Sequence, residues 1–373
     1  MGGLRVLITN HTLAERTGTE LYVRDLALGL LARGHTPIVF TTRVGKLGRE
    51  LRAATVPVID DLHKVSAAPQ VIHGQHHAET MTALLHFTET PAVFFCHGWL
   101  PQPETPPHHP RILRYVAVDD TCRDRLVCES GVPEDRTRVV LNPIDLARFR
   151  PRGPLPLKPL RALVFSNSIP EYVSVVREAC ARAGVTLDVA GAEMGGFIEE
   201  PEKMLGQYDL VFAKARCALE ALAVGTAVVL CDAAGAGPLV TSEEVARLRR
   251  LNFGVRTLRS ELRADALARE IARYDATDAA EASRRVRALA GEEETTDAIV
   301  ALYREVIDEF KDAPRDPQAE SRAAADYLRW LITDMRRERE FLDKSATGRL
   351  RTLVLRMPLV GALAKSAAKR LRS

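Results

Sequence analysis

Three stretches of this 373-residue chain combine glycine, cations and carboxylates in ways that suit binding of a charged ligand. The first is Arg16-Thr17-Gly18-Thr19-Glu20, just before a helical period. Gly18 lets backbone approach a ligand closely, and the free N–H groups of a helix start attract an anion or a hydroxyl. An ordinary turn with Thr19 as N-cap is the plainer alternative. The second runs from Phe212 to Gly225, with Lys214 and Arg216 between an apolar run and a helix. Cations at a helix start oppose its dipole, and a phosphate held between them and the helix amides would resolve that conflict. Glu220 lies four residues beyond Arg216 on the same helical face, so a simple surface ion pair is the alternative there. The third is Asp232-Ala-Ala-Gly235-Ala-Gly237-Pro238, where two glycines either expose amides to a pyrophosphate or make a tight turn.

Histidines form a fourth group, His73-x-x-His76-His77 and Cys96-His97-Gly98-Trp99. A metal reading of the first lacks a third ligand at a standard spacing, even with Glu79 nearby, so no metal is expected. His97 follows the apolar run Val93–Cys96 and precedes a glycine. That is the C-terminal end of a strand, where open α/β sheets bind ligands, although a structural histidine would also fit.

Alternating apolar runs and helical periods position these groups. Leu4–Thr9 reads as a strand, Val23, Leu26, Ala27, Leu30 and Leu31 as one face of a helix ended by Gly34, and Thr36–Thr41 as a second strand. Strands follow at Val56–Ile59, Val71–His73, Ala92–Cys96, Arg114–Val118 and Val139–Leu141, separated by helical segments. Four prolines within 151–160 mark an extended linker. Beyond it the rhythm restarts, with strands at Arg161–Phe165, Thr186–Ala190, Leu210–Ala213 and Ala227–Cys231, and a largely helical region from Ser242 to Lys311. The pattern predicts an α/β protein of two mostly parallel, helix-covered sheets.

Composition agrees. Hydrophobic residues make up 46% of the chain, charged residues 27% and aromatic residues 5%, which suits helices on sheets better than a β-sandwich. Formal net charge is +3, giving no case for a nucleic-acid partner. Residues 320–373 alone carry +7, so the remainder is slightly acidic. No apolar run is long enough to span a membrane, no signal-peptide pattern is present, and the six cysteines form no C-x-x-C pair. A cytoplasmic protein with reduced cysteines is expected. The tail has an apolar stripe at Ala324, Tyr327, Leu328, Leu331 and Met335, and from Ser345 onward seven basic and no acidic residues. Apolar stripes flanked by Lys and Arg suit an anionic membrane surface, giving a possible peripheral attachment through residues 345–373; a packed or solvated helix is the alternative.

In this order the segments resemble the nucleotide-sugar-dependent glycosyltransferases of family 4, which have the two-domain GT-B fold. Gly18 to His35 is similar to the family's first loop and helix, Arg138-Val-Val-Leu-Asn142-Pro-Ile-Asp145 to its N-G-V-D segment, and Leu219-Glu220-Ala-Leu-Ala-Val-Gly225-Thr-Ala-Val-Val to its L-E-A-x-A-x-G-x-P-V-V block. Cys231 to Pro238 falls where a glycine pair follows. The resemblance covers about residues 4–310. Three departures stand out. Phe212 occupies the first position of the family's Glu-x7-Glu motif, Asn142-Pro143 replaces Asn-Gly, and Ser166-Asn167-Ser168-Ile169-Pro170 stands where Arg and Lys are usual.

The resemblance implies two Rossmann-like domains facing across a cleft. The first, 1–150, takes the acceptor, 151–160 is the linker, 161–311 binds the nucleotide sugar, and 318–373 forms a basic helical extension. It implies transfer of a sugar, by a hexosyltransferase-like enzyme, from a nucleotide-diphosphate donor (UDP the commonest) to a glycan, lipid-linked or other hydroxyl acceptor. Retention of configuration, no cofactor and a role in polysaccharide biosynthesis are further implications. Lys214 and Arg216 would neutralise the leaving diphosphate, Glu220 would hold the ribose, and His97 would contact the donor across the cleft, with His97 and Lys214 as the catalytic pair. Gly18, Thr19, Ser166, Asn167, Gly235 and Gly237 would complete the donor side, with His73, His76 and His77 on the acceptor side. Two other functions are compatible with the departures: a catalytically degenerate scaffold or partner subunit, and a nucleotide-sugar epimerase.

Overall fold

The computed structural model describes every residue except 1, 15, 101, 167–171, 191–197, 199 and 345–373. Asn167 and the basic tail 345–373 therefore lie outside the described residues. Residues 1–107 and 111–314 form one compact unit that contains both sheets. A second unit contains the long helix α12 (Pro317–Lys344), on which Leu328, Ile332 and Met335 follow one another at helical spacing and are exposed.

The first sheet has seven strands: β1 (Arg5–Thr9), β2 (Thr36–Phe40), β3 (Val58–Ile59), β4 (Val71–Gly74), β5 (Ala92–Cys96), β6 (Ile112–Ala117) and β7 (Thr137–Val139). Their order is β3-β2-β1-β4-β5-β6-β7 and every pairing is parallel. The near-continuous apolar character of β1 and β5 follows, because both faces of such a sheet are covered. Helices α1 (Gly18–Ala32), α2 (Lys46–Ala53), α3 (His77–His86) and α4 (Asp120–Asp124) make the crossovers. Thr17, not Thr19, precedes the first turn of α1, and its N–H donates to the buried Glu20 carboxylate at 2.9 Å.

The second sheet has the order β12-β11-β10-β8-β9. It comprises β8 (Arg161–Phe165), β9 (Thr186–Ala190), β10 (Leu210–Ala213), β11 (Ala227–Asp232) and β12 (Gly235–Leu239). The first four run parallel, and β12 turns back antiparallel on β11. Helices α5 (Val173–Ala183), α6 (Pro201–Leu205), α7 (Ala215–Val224), α8 (Val245–Arg250), α9 (Ala264–Ala272) and α10 (Ala276–Leu289) belong to this half.

Two expected boundaries move. Helix α11 (Glu292–Asp312) does not complete the second half: Ile299, Val300, Tyr303, Val306 and Phe310 are buried in the core formed by β1, β4, β5 and α1. The second half thus ends near Gly291, because the apolar stripe of α11 packs in the core of the first sheet. The Pro-rich run is also not the crossing point. Val140 N–H still bonds to Ala117 O of the first sheet, whereas Ile144 and Phe149 are already buried in the second core. Ile144 N–H donates to Ala290 O at 2.8 Å, so the outgoing and returning crossings lie side by side. Residues 151–160 run along the second half, tied to it by Arg152 with Asp209, Leu160 N–H with Asp209, and Tyr274 Oη–H with Pro156 O.

Candidate active site

Both sheets have a topological switch point, where neighbouring strands send their chains in opposite directions and leave a crevice at their C-terminal ends. In the first sheet it lies between β1 and β4. Thr9 Oγ1 and the backbone of Gln75 bond to each other at 2.9 Å and close its floor. His76 follows with φ +59, a left-handed conformation that costs a non-glycine residue strain and often marks a functional position. Its Nδ1 accepts from His11 N–H at 3.1 Å, and its Nε2 is 3.7 Å from Glu104 Oε1. The other Glu104 oxygen accepts from His97 N–H at 2.8 Å, one residue beyond β5. Tyr22 of α1 packs edge-on against the His97 ring, centroids 4.4 Å apart.

This corner is rich in buried polar atoms with no protein partner. Among the described residues, Asn10 Oδ1, both amide atoms of Gln75, Tyr22 Oη and His97 Nε2 are all unpaired. Such groups are costly to leave unsatisfied, so their collection at one strand edge makes it a candidate site for a polar ligand. Burial, with the charge of nearby His11 and His77, pulls the His76 pKa down to about 4. Burial beside His76 takes His97 to about 3, so both rings are neutral near pH 7. Burial raises Glu104 to about 7, against the lowering effect of the His97 N–H and Arg125.

The remaining two histidines differ from the expectation. His73 points into the core, stacked on Phe95 at 4.0 Å, with its Nδ1 2.6 Å from Tyr303 Oη. It is fully buried and has no surface for an acceptor; it supports the floor instead. His77 is the buried first residue of α3. Gly18 and Thr19 open α1, and Gly18 is exposed with open space where a side chain would stand.

In the second sheet the switch point lies between β8 and β10. Ser166 follows β8 and Lys214 follows β10, as expected for residues at that crevice. Lys214 Nζ is 2.5 Å from Asp232 Oδ2 at the end of β11. Arg216 is bound more tightly than the sequence implied. Its Nε donates to Glu220 at 2.9 Å and its Nη2 to Asp25 of α1 at 2.7 Å. The two carboxylates hold the guanidinium pKa above its ordinary value against burial. Arg216 and Glu220 thus form a clasp between the two halves rather than open ligands for a diphosphate and a ribose. Burial raises the Glu220 carboxyl even so.

Gly235 and Gly237 also have a structural explanation. They sit on β12, not in an exposed loop, and a Cβ at either would stand 2.8 Å from Ser260 O or 2.7 Å from Thr257 O. Close packing of β12 on the 257–260 segment demands small residues there, which gives both glycines a packing role.

Further contacts bring the C-terminal edges of the two sheets together. Arg250 pairs with Asp120 at 2.5 Å, and Arg256 pairs with Asp124 at 2.5 Å while lying over the Trp99 ring. The sequence analysis did not single out Asn10, Tyr22, Asp25, Gln75 or Glu104, and named Asp232 only as the start of the third stretch, an acid at a strand end. Among the described residues no group of three His, Cys, Asp or Glu is placed to hold a metal ion. No helix among them is long and apolar enough to cross a membrane.

Two sheets of this order, joined by paired crossings and meeting at their C-terminal edges, make the GT-B fold. Residues 16–148 match the Glycosyltransferase Family 4 domain. Solved structures agree. A glycosyltransferase from Rickettsia africae is 14% identical, with a TM-score of 0.60 over 82% of this chain and 99% of that one. Anabaena HepE, solved with UDP and glucose, is 15% identical with a TM-score of 0.58 over 80% and 99%. Sucrose-phosphate synthase from Thermosynechococcus elongatus is 13% identical with a TM-score of 0.58 over 82% and 100%. At such identities the likeness is one of fold. No curated protein matches the chain by sequence.

Proposed function

We propose that this enzyme transfers a sugar from a nucleoside-diphosphate donor, UDP-sugar foremost, to a hydroxyl of a glycan or lipid-linked acceptor. The observation that carries this reading is the set of unpaired polar atoms on Asn10, Gln75, Tyr22 and His97 at the edge that meets the second sheet. Their donors and acceptors, lined by an aromatic ring, suit a polyhydroxylated sugar. The binding of UDP and glucose by HepE is in keeping with it. Lys214 and the start of α7 would stabilise the negative charge of the departing diphosphate. His97, uncharged near neutral pH, would offer Nε2 to a sugar hydroxyl without repelling a cationic neighbour. Closure of the two halves would exclude water and so limit hydrolysis. Metal-independent transfer with retention of configuration, a place in polysaccharide assembly, and attachment of residues 345–373 to an anionic membrane surface complete the proposal.

Calorimetry with a panel of nucleoside diphosphates and sugar nucleotides tests it, with Lys214→Ala and His97→Ala as comparisons. Binding of one nucleotide sugar by the wild-type protein, weakened in both variants, is the expected result. A folded wild-type protein that binds none of the panel would overturn the donor site. The closed Arg216–Glu220–Asp25 clasp and the apolar Phe212 favour one other reading, a scaffold that has lost activity. Turnover of a nucleotide sugar, including slow hydrolysis abolished by His97→Ala, would exclude it.

A further inference from the structure

Arg249, next to last in α8, carries a guanidinium that is only 2% exposed. Its Nη2 donates to Asn142 O at 2.5 Å, while Nε and Nη1 have no partner. Burial alone draws its pKa down to about 10, with no carboxylate contributing. A buried charge without a counter-ion is among the more expensive features a fold can carry. Arg216, by contrast, is buried between two carboxylates. Among the described residues no carboxylate pairs with Arg249.

Local backbone ties this charge to the donor side of the cleft. Just beyond α8, Asn252 and Phe253 take φ values of +52 and +49, the left-handed region that such residues avoid without cause. Phe253 O accepts the N–H of Ala215, the residue after Lys214, at 2.9 Å. Ala215 itself has φ +49. Asn252 Oδ1 is buried and unpaired as well. Strained backbone on both partners thus fixes α8 against the start of α7. On the other side Arg249 holds Asn142, in the crossing segment between the two halves. Three segments converge on one uncompensated cation.

We propose that Arg249 is the second phosphate-binding cation of the donor site. Its free Nε–H and Nη1–H groups take oxygens of the donor's diphosphate, and Lys214 takes the other side. It stands in for the Arg and Lys that this chain lacks after β8. The proposal rests on the reading that the second half holds a nucleotide donor. It also explains why a costly charge sits where a simple anchor for Asn142 O needs only a neutral donor.

Calorimetry on the full chain distinguishes the outcomes, using uridine, UDP and inorganic pyrophosphate with wild type, Arg249→Lys and Arg249→Met. Lysine keeps a donor for Asn142 O and the positive charge, so this variant carries the test should Arg249→Met fail to fold. Affinity for UDP and pyrophosphate should fall about tenfold to a hundredfold, the worth of charge-assisted hydrogen bonds, with uridine affinity unchanged. Variants that bind UDP and pyrophosphate as tightly as wild type would overturn the proposal and leave the donor site intact. A parallel loss of uridine affinity would overturn it too, reducing Arg249 to an anchor. Wild-type protein that binds neither UDP nor pyrophosphate would overturn the donor reading itself.

Discussion

Glu104 offers a direct measurement of how strongly the first-sheet site is desolvated. Its carboxyl is buried, bonded by the His97 N–H at 2.8 Å, and raised from 4.5 to about 7. Because the folded-state value exceeds the unfolded one, the native protein holds an extra proton between these limits. The stability this gives is fully present below 4.5 and is lost as pH rises through about 7. The rise corresponds to about 3 kcal/mol. Glu104→Gln keeps an oxygen for the His97 N–H and removes the charge. Its stability relative to wild type should therefore climb by about 3 kcal/mol between acid and mildly alkaline pH, then level off. His76 and His97 act in the opposite sense: their pKa values are lowered from 6.5, so their contribution is present above 6.5 and is lost as pH falls towards about 4 and about 3. They are present in both proteins and enter the difference only through their contacts with residue 104. Urea titrations followed by circular dichroism across the pH range would measure the curve. A difference that stays flat with pH would refute the reasoning, because it would mean that the carboxyl titrates as it does in water.

Two further expectations concern residues whose expected roles changed. Gly237→Ala should destabilise the protein by roughly 1–3 kcal/mol through its clash with Thr257 O, whereas Gly18→Ala, facing open space, should leave stability within about 0.5 kcal/mol. Thermal denaturation of both variants checks this, and equal effects would contradict the packing role of Gly237. Arg216→Met leaves the buried Glu220 without its cation and Asp25 with Arg24 alone, and should cost about 3 kcal/mol or more. A loss well under 1 kcal/mol in denaturant titration would show that water already solvates the clasp.

Local pattern carried much of the fold into the sequence. Apolar runs such as Val93–Cys96, helical periods such as Val23 to Leu31, and the Gly34 stop each obey short-range rules, and the βαβ rhythm followed from them. What a helix packs against is not a local property. The stripe of α11 reads like any amphipathic helix, and only the shape of the first sheet decides that it returns there. The same limit applies to the site. His73 reads as a possible ligand because histidine is unusual in an apolar strand, yet its partner Tyr303 is 230 residues away. Glu104 lies in a proline-rich loop with no period at all, and tertiary packing alone brings it to the His97 backbone. The placement of His97, Lys214 and Ser166 at strand ends was legible because each directly follows an apolar run that reads as a strand.

The departure at Phe212 takes a different form once its surroundings are known. Phe212 lies within β10, fully buried in the core beside Val164, Val229 and Cys231. A glutamate at that position would put a charge into an apolar interior without a partner, so the residue type follows from the place in the strand. The chain then passes from Ala213 through Lys214 alone into α7. With so short a connection, Lys214 is the first residue after β10 that stands at the crevice, and Asp232 holds its ammonium group. Phe212 thus stands where the resembled motif has its first glutamate, and the tight strand-to-helix turn leaves Lys214 at the crevice. Restoring glutamate at 212 would burden the core without rebuilding a ligand contact. The chemistry of this edge has to be sought in the lysine–aspartate pair that the turn presents.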